Sequence, residues 1–186
     1  IFLYVFLFAR ARFERFNKLL FRLALSGLGV LNYKTSAVSG ERAFLEGFLP
    51  GKTGVLIDVG ANQGGYTKEA LDINSALTIY AFEPHPKTFA RLSENLAGYK
   101  NVIFLNKGLS SSSGTLKLYD YQNKDGSEHA SLFEEVITEI HGSSEVVGHE
   151  VTLITLDDFV ESEGIEEITL LKIDTEGNKL ELLKRR

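Results

Sequence analysis

The segment LLKIDTEG sets Lys172, Asp174 and Glu176 at a spacing of two, closing an apolar run that begins at Ile168. A strand turns every second side chain to one face, so a strand continued through Glu176 would point all three the same way. One ammonium and two carboxylates at the end of a central strand suit the activation of a hydroxyl. A carboxylate beside such an acceptor can take its proton as general base, and holding the reactants in line is the other main contribution. Asp174 is the first choice for that base. Lys172 would lower the acceptor's pKa or orient the carboxylate. Glu176 would assist, or join Asp174 around a divalent cation. The plainer alternative is an ion pair of Lys172 with Asp174 or Glu176, with Glu176 starting a helix.

A second constellation runs from Val55 to Glu83. An apolar run ends in Asp58, a turn follows (Gly60, Ala61, Asn62, Gln63, Gly64, Gly65), then a helix-like segment, then an apolar run that ends in Glu83. Gly60 and Gly64 permit a sharp bend and would set bare amides of the turn against a ligand. The helix N-terminus behind them favours a carboxylate or phosphate. Glu83 can accept hydrogen bonds from two ribose hydroxyls. A dinucleotide fingerprint would need glycines at 60, 62 and 65, but position 62 is asparagine, where the pyrophosphate must come close. Asp58 is also a poor neighbour for a pyrophosphate and suits an ammonium better. S-adenosylmethionine has an ammonium, a sulfonium, a ribose and no phosphate. The charge pattern favours it over a dinucleotide, and over a turn that only joins strand to helix.

The histidines are weaker candidates. His85 lies between two prolines in EPHP, near the predicted ribose site, and is read as shaping that loop. His129, His141 and His149 fall in a polar region and are read as solvated surface. With no histidine–carboxylate cluster, no metal is predicted.

The elements that must position these groups alternate. Strands are predicted over Val55–Val59, Leu77–Phe82, Val102–Asn106 and Ile168–Ile173, and helices over Tyr66–Asp72, Pro86–Leu96 and Leu156–Glu163. Ser110–Gly114 reads as a turn, Thr115–Tyr119 as a short antiparallel strand, and Val151–Thr155 as a further strand. Tyr121–Ser144 is polar, with a helix around Leu132–Ile140, and the stretch Tyr121–His149 is expected to form part of an acceptor pocket. Strands alternating with helices of about ten residues imply parallel βαβ units in a doubly wound sheet. Only a dozen residues follow Asp174, so the sheet is expected to stop in mid-fold with an unpaired edge.

The chain has 186 residues, 44% hydrophobic and 24% charged, which is ordinary for a globular domain. It has no cysteine, so disulfides, thiolate metal sites and thiol nucleophiles are excluded. Net charge is uneven. Residues 1–50 carry seven Lys/Arg and three Asp/Glu, and the remainder carry thirteen and twenty-two. An acidic second part argues against nucleic acid as partner, since phosphate binding needs clustered Lys and Arg. Residues 1–25 show helical spacing of Phe6, Ala9, Phe13, Phe16, Leu20 and Leu23, with Arg10, Arg12, Arg15, Lys18 and Arg22 between. Three readings compete there: a helix packed on the catalytic domain or a partner, a basic helix making peripheral contact with a membrane surface, and the tail of a clipped transmembrane segment. Ser26–Gly29 is expected to break this helix, and Ser39 to cap a second one over Glu41–Phe48. The start at Ile1 without any methionine reads as a fragment of a longer protein. The domain expectation is a helical extension over residues 1–50 and a catalytic domain over 51–186, in the cytoplasm, with the oligomeric state left open.

Taken in order, IDVGANQGGYT, AFEPHP, VTLITLDDF and LLKIDTEG resemble the FkbM family of S-adenosylmethionine-dependent methyltransferases, and the upstream GLGVLNY and SGERAFL are similar to its members with an N-terminal extension. The resemblance covers most of residues 26–183. It implies a class I methyltransferase fold, Rossmann-like, with a seven-stranded sheet that would lack its last strands here, and O-methylation of sugar or polyketide-type hydroxyls. It puts cofactor residues at Asp58, Gly60, Asn62, Gly64 and Glu83, with Asn106 and Lys107 beside the adenine. The expected partner is a small-molecule or glycan acceptor. The rival readings are a non-catalytic cofactor-binding module and an NAD-dependent oxidoreductase.

Overall fold

A run such as VLIDV, apolar on both faces, needs cover on both sides, and it obtains it at the centre of a parallel sheet. In the computed structural model, which describes residue 8 and residues 10–27, 40–121 and 146–175, strand β1 (Gly54–Val59) lies between β2 (Leu77–Phe82) and β7 (Ile168–Ile173), parallel to both. Strand β3 (Val102–Leu105) adds in parallel beyond β2, so the order is β3-β2-β1-β7. Chain order reverses between β1 and β7. In open α/β sheets that switch point, at the carboxyl ends of the strands, is where ligands bind.

Among the described residues three helices accompany this sheet: α3 (Gly65–Ile73), α4 (Pro86–Asn95) and α5 (Leu156–Glu163). Alternation along β1 sorts its side chains. Ile57 and Val59 join Phe82, Leu109 and Phe159 in one core cluster, with Leu171 and Ile173 of β7 packed against it. Phe159 of α5 meets Phe82 and Tyr80 edge-on, at 4.9 and 5.1 Å between ring centres. Asp58 points the other way and meets Thr67 of α3. Helices therefore cover both faces, and the fold is a doubly wound, Rossmann-like α/β fold. Local chemistry agrees with each start and stop. Pro86 occupies the first turn of α4. Thr155 caps α5 by accepting from Asp158 N–H, and Gly164, at φ 65°, ends it.

The single seven-stranded sheet implied by the resemblance is replaced, among the described residues, by four strands plus a separate sheet of three. Strand β6 (Val146–Ile154) lies between β5 (Gly114–Tyr121), antiparallel, and β4 (Gly108–Leu109), parallel. The two-residue β4 carries too little pattern to read from sequence. Strand β6 starts five residues before the predicted Val151. An unbroken ladder with β5, from Gly114↔Leu153 to Tyr121↔Val146, holds Gly148, His149 and Glu150 extended where their polarity suggests a loop. Strand β7 pairs only with β1 among the described residues.

The chain divides into two compact units, Ile1–Pro50 and Gly51–Arg186. In the first, a 3₁₀ turn (Ala11–Phe13) leads into α1 (Glu14–Gly27), and α2 spans Glu41–Phe48. Helix α1 includes Ser26 and Gly27, where the sequence predicts a break. Gly40, at φ 87° and with no side-chain bond, stands at the N-cap of α2, and Arg42 pairs with Glu46 at 2.9 Å. The expected cap Ser39 lies outside the described residues, as do residues 1–7, the helix expected around Leu132–Ile140, and His129 and His141. No helix among the described residues is long and apolar enough to cross a membrane.

Phe159 carries the contact between α5 and the sheet. Phe159→Ala is expected to lower stability by about 3–5 kcal/mol through lost burial and a residual cavity. Chemical denaturation with both variants checks this, and a loss below about 1 kcal/mol would mean that α5 does not cover the sheet as described.

Candidate functional site

The turn after β1 bends through three residues with left-handed backbone: Gly60 (φ 75°), Asn62 (φ 49°) and Gly64 (φ 88°). Gly60 is required twice. Its φ favours glycine, and a Cβ there would run into the backbone carbonyl of Asp174. The turn's amides have acceptors within the protein. Gly60 and Ala61 both donate to the Phe82 carbonyl, at 3.0 and 2.9 Å, and Gly64 donates to the Ala61 carbonyl at 2.8 Å. Asn62 N–H donates to Glu83 Oε2 at 3.0 Å. The glycines at 60 and 64 lead the sequence to predict bare amides in this turn; the structure instead directs those of Gly60 and Ala61 to the end of β2, that of Asn62 to Glu83 and that of Gly64 back to Ala61 within the turn. A phosphate cradle needs amides left free, and these four are engaged.

Asp58 is fully buried. Thr67 Oγ1 donates to its Oδ2 at 2.7 Å, and Lys172 Nζ lies 3.0 Å from its Oδ1. The strand register explains the pair, because Asp58 sits directly across from Lys172 in the β1–β7 ladder and parallel neighbours share a face. Two expectations change here. Asp58 does not present an open carboxylate to a ligand ammonium, since its two oxygens already face a cation and a hydroxyl. Lys172, expected to pair with Asp174 or Glu176 or to act on the acceptor, is turned to Asp58, and it also donates to the Gly60 carbonyl at 3.0 Å. Thr67 stands inside the motif but was given no role from sequence. Only its position one helical turn into α3 shows what it does.

Glu83 is also buried, at 7% exposure, just past β2. Its Oε2 accepts from Asn62 N–H, and its Oε1 accepts from His85 N–H at 2.9 Å. A carboxylate has about four acceptor positions, so each oxygen retains capacity for one more donor. Burial raises the Glu83 pKa. The His85 and Asn62 N–H bonds and the Lys172 charge oppose that rise, and Asp58 adds to it. Beside it, Asn62 Oδ1 is buried and has no hydrogen-bond partner. A desolvated carboxylate with spare acceptor positions and an orphaned amide oxygen together fit a ligand rich in O–H and N–H donors, such as a ribose and an ammonium.

Asn106, expected near an adenine, turns its amide back to the Glu83 and Pro84 carbonyls, at 2.9 and 3.1 Å, and so braces the loop that carries Glu83. Lys107 follows it, half-buried. His85 is buried and caps α4 through a long 3.5 Å bond from Thr88 N–H to Nδ1. Its ring meets His149 of β6 edge-on at 4.6 Å, so His149 is half-buried against this loop rather than solvated surface. Nothing in its polar neighbourhood signals that contact. Asp174 is exposed immediately beyond β7, and its N–H donates to the Val59 carbonyl at 2.9 Å. Its backbone thus lies against the turn. Glu176, and residues 122–145 of the expected acceptor pocket, lie outside the described residues. Among the described residues no group of three or more His, Asp or Glu is placed to hold a metal.

Residues 58–186 match the family described as the methyltransferase FkbM domain. Among curated proteins, the chain is 34% identical to the hexuronic acid methyltransferase AglP of Haloferax volcanii over 70% of its own length and 48% of the relative's. It is 34% identical to the methyltransferase sdnD of Sordaria araneosa over 69% and 59%, and 22% identical to the 2-O-methyltransferase NoeI of Sinorhizobium fredii over 69% and 56%. The chain thus spans about half the length of the curated relatives it matches. Among solved structures, a precorrin-6y C5,15-methyltransferase from Geobacter metallireducens overlaps 39% of each chain at a TM-score of 0.32 and 24% identity, too slight a likeness to bear on function.

The raised Glu83 pKa gives a signed expectation for stability. The folded state binds this proton more tightly than the unfolded chain, so the contribution favours folding below the unfolded pKa and is lost as pH rises through the folded pKa. Glu83→Gln removes the titration and adds a constant offset. The difference in melting temperature between Glu83→Gln and the parent should therefore grow in favour of the variant as pH rises above the ordinary glutamate range. A difference that stays level with pH would contradict the desolvation described here.

Proposed function

Because the chain belongs to the FkbM methyltransferase family, we propose that it transfers the methyl group of S-adenosylmethionine to a hydroxyl of a saccharide or secondary-metabolite acceptor. The observation that carries the reading is Glu83. It is a buried carboxylate at the carboxyl end of β2, oriented by two backbone N–H groups and retaining acceptor positions on both oxygens. Those positions suit the vicinal hydroxyls of a ribose. The inward-turned amides and the asparagine at 62 weigh against a pyrophosphate, and so against a dinucleotide.

S-adenosylmethionine supplies, when bound, a methyl group on a sulfonium that an oxygen nucleophile can take. Glu83 would hold the ribose hydroxyls as their acceptor, and Asn62 Oδ1 would take a second ligand donor. Asp58 acts at one remove, through the turn whose shape it holds. Asp174 stands beyond β7 beside that turn and removes the acceptor's proton, passing it to solvent as the new ether oxygen forms. Glu176 follows two residues later as an assisting carboxylate. The acceptor class rests on the relatives, two of whose names specify a hexuronic acid and a 2-O position.

Calorimetry with S-adenosylhomocysteine tests the reading. The protein should bind it and should not bind NADH. Glu83→Ala, losing two charge-assisted bonds of about 1.5–3 kcal/mol each, should weaken binding by roughly two to four orders of magnitude. Asp174→Asn should keep cofactor affinity and lower methyl transfer to a uronic-acid or other saccharide acceptor by about 10²–10⁴-fold. Normal turnover in Asp174→Asn would remove it as the base. Cofactor binding with no acceptor across a broad saccharide panel would favour a binding module instead.

A further inference from the structure

The geometry assigns Lys172 a positioning role. Its ammonium clamps the glycine turn to β7, the strand that leads to Asp174, acting through Asp58 and the Gly60 carbonyl rather than on the reacting atoms. The inference rests on the cofactor reading above and deepens it.

One cation reaches three consecutive pieces of chain. Lys172 Nζ lies 3.0 Å from Asp58 at the end of β1, donates at 3.0 Å to the carbonyl of Gly60 in the turn, and sits 5.4 Å from the ring centre of Tyr66 in the first turn of α3. The ammonium thus combines a hydrogen bond to the Gly60 carbonyl with an ion pair to Asp58, and the aromatic ring adds an attraction of its own. The setting makes these contacts strong, because the Lys172 side chain is 15% exposed and Asp58 not at all. The lower effective dielectric strengthens both attraction and geometric demand. Lys172 comes from the strand that ends in Asp174. Asp174 N–H is itself bonded to the Val59 carbonyl, and its own carbonyl fills the space where Gly60 lacks a Cβ. Cofactor turn and general-base candidate are thus joined across one strand pair. Chemistry in which displacements near 1 Å cost about 10²-fold depends on such a joint.

The competing explanation is that Lys172 only neutralises a buried carboxylate. Removing both charges separates the two. Lys172→Met alone strands the buried Asp58 carboxylate without its cation, and the melting temperature should fall. The double variant Lys172→Met/Asp58→Asn, which removes the stranded charge as well, should recover it. Calorimetry with S-adenosylhomocysteine then decides. With Asp58→Asn as reference, the double variant should bind at least about tenfold more weakly, because the Gly60 anchor is gone. Affinity equal to that of Asp58→Asn would overturn the proposal. Lys172→Arg, which keeps a donor for both oxygens, should bind more tightly than Lys172→Met. Equal weakness at unaltered melting temperature would also overturn it. Failure of the unaltered protein to bind S-adenosylhomocysteine would remove the cofactor reading and this inference together, whereas binding unaffected by Lys172 removes the inference alone.

Discussion

A carboxylate with no solvent exposure in the central strand of a sheet is the constraint around which this domain is arranged. Asp58 is tolerated there because a cation and a hydroxyl meet its two oxygens. An uncompensated charge at that position would cost several kcal/mol. The cation comes from the strand placed directly across, and the hydroxyl from the helix that follows the turn. Answering the charge therefore requires β7 beside β1 in one register and α3 over one face. The switch point of the sheet and the start of the glycine turn are fixed by the same contacts.

Once the turn is drawn in this way, its backbone is no longer a ligand surface at most of its amides. Gly60, Ala61 and Gly64 satisfy carbonyls of the protein, and Asn62 reaches Glu83. The proposed recognition therefore rests on side-chain chemistry: the remaining acceptor positions of Glu83 and the buried oxygen of Asn62. Glu83 bears a desolvation cost that two N–H bonds and a nearby ammonium only partly offset. A ligand donor bound there, as that proposal has it, would offset the rest.

The loop bearing Glu83 is held from several directions. Asn106 grips its carbonyls from the end of β3, His85 caps the helix beyond it, and His149 of the three-stranded sheet packs on His85. The small sheet therefore does more than extend the fold. It supports the segment that carries Glu83.

Much of this was legible in sequence. The strands Leu77–Phe82 and Ile168–Ile173 and the helix Leu156–Glu163 are legible to the residue, because continuous apolar runs and acidic first-turn residues are signals carried by neighbours in the chain. The positions of Asp58, Glu83 and Asp174 at strand ends followed from the same signals. The partners of those groups were not legible. That Lys172 faces Asp58 depends on which strands lie side by side and in what register, a relation between residues more than a hundred positions apart. The inward direction of the turn's amides needs the Phe82 carbonyl to be near, and the contact of His149 with His85 needs a second sheet whose ladder overrides a polar local sequence. Sequence alone determined which residues stand at the carboxyl ends of the strands, since periodicity is local. The tertiary structure decided what each of them touches, since charge pairing and desolvation act through space rather than along the chain.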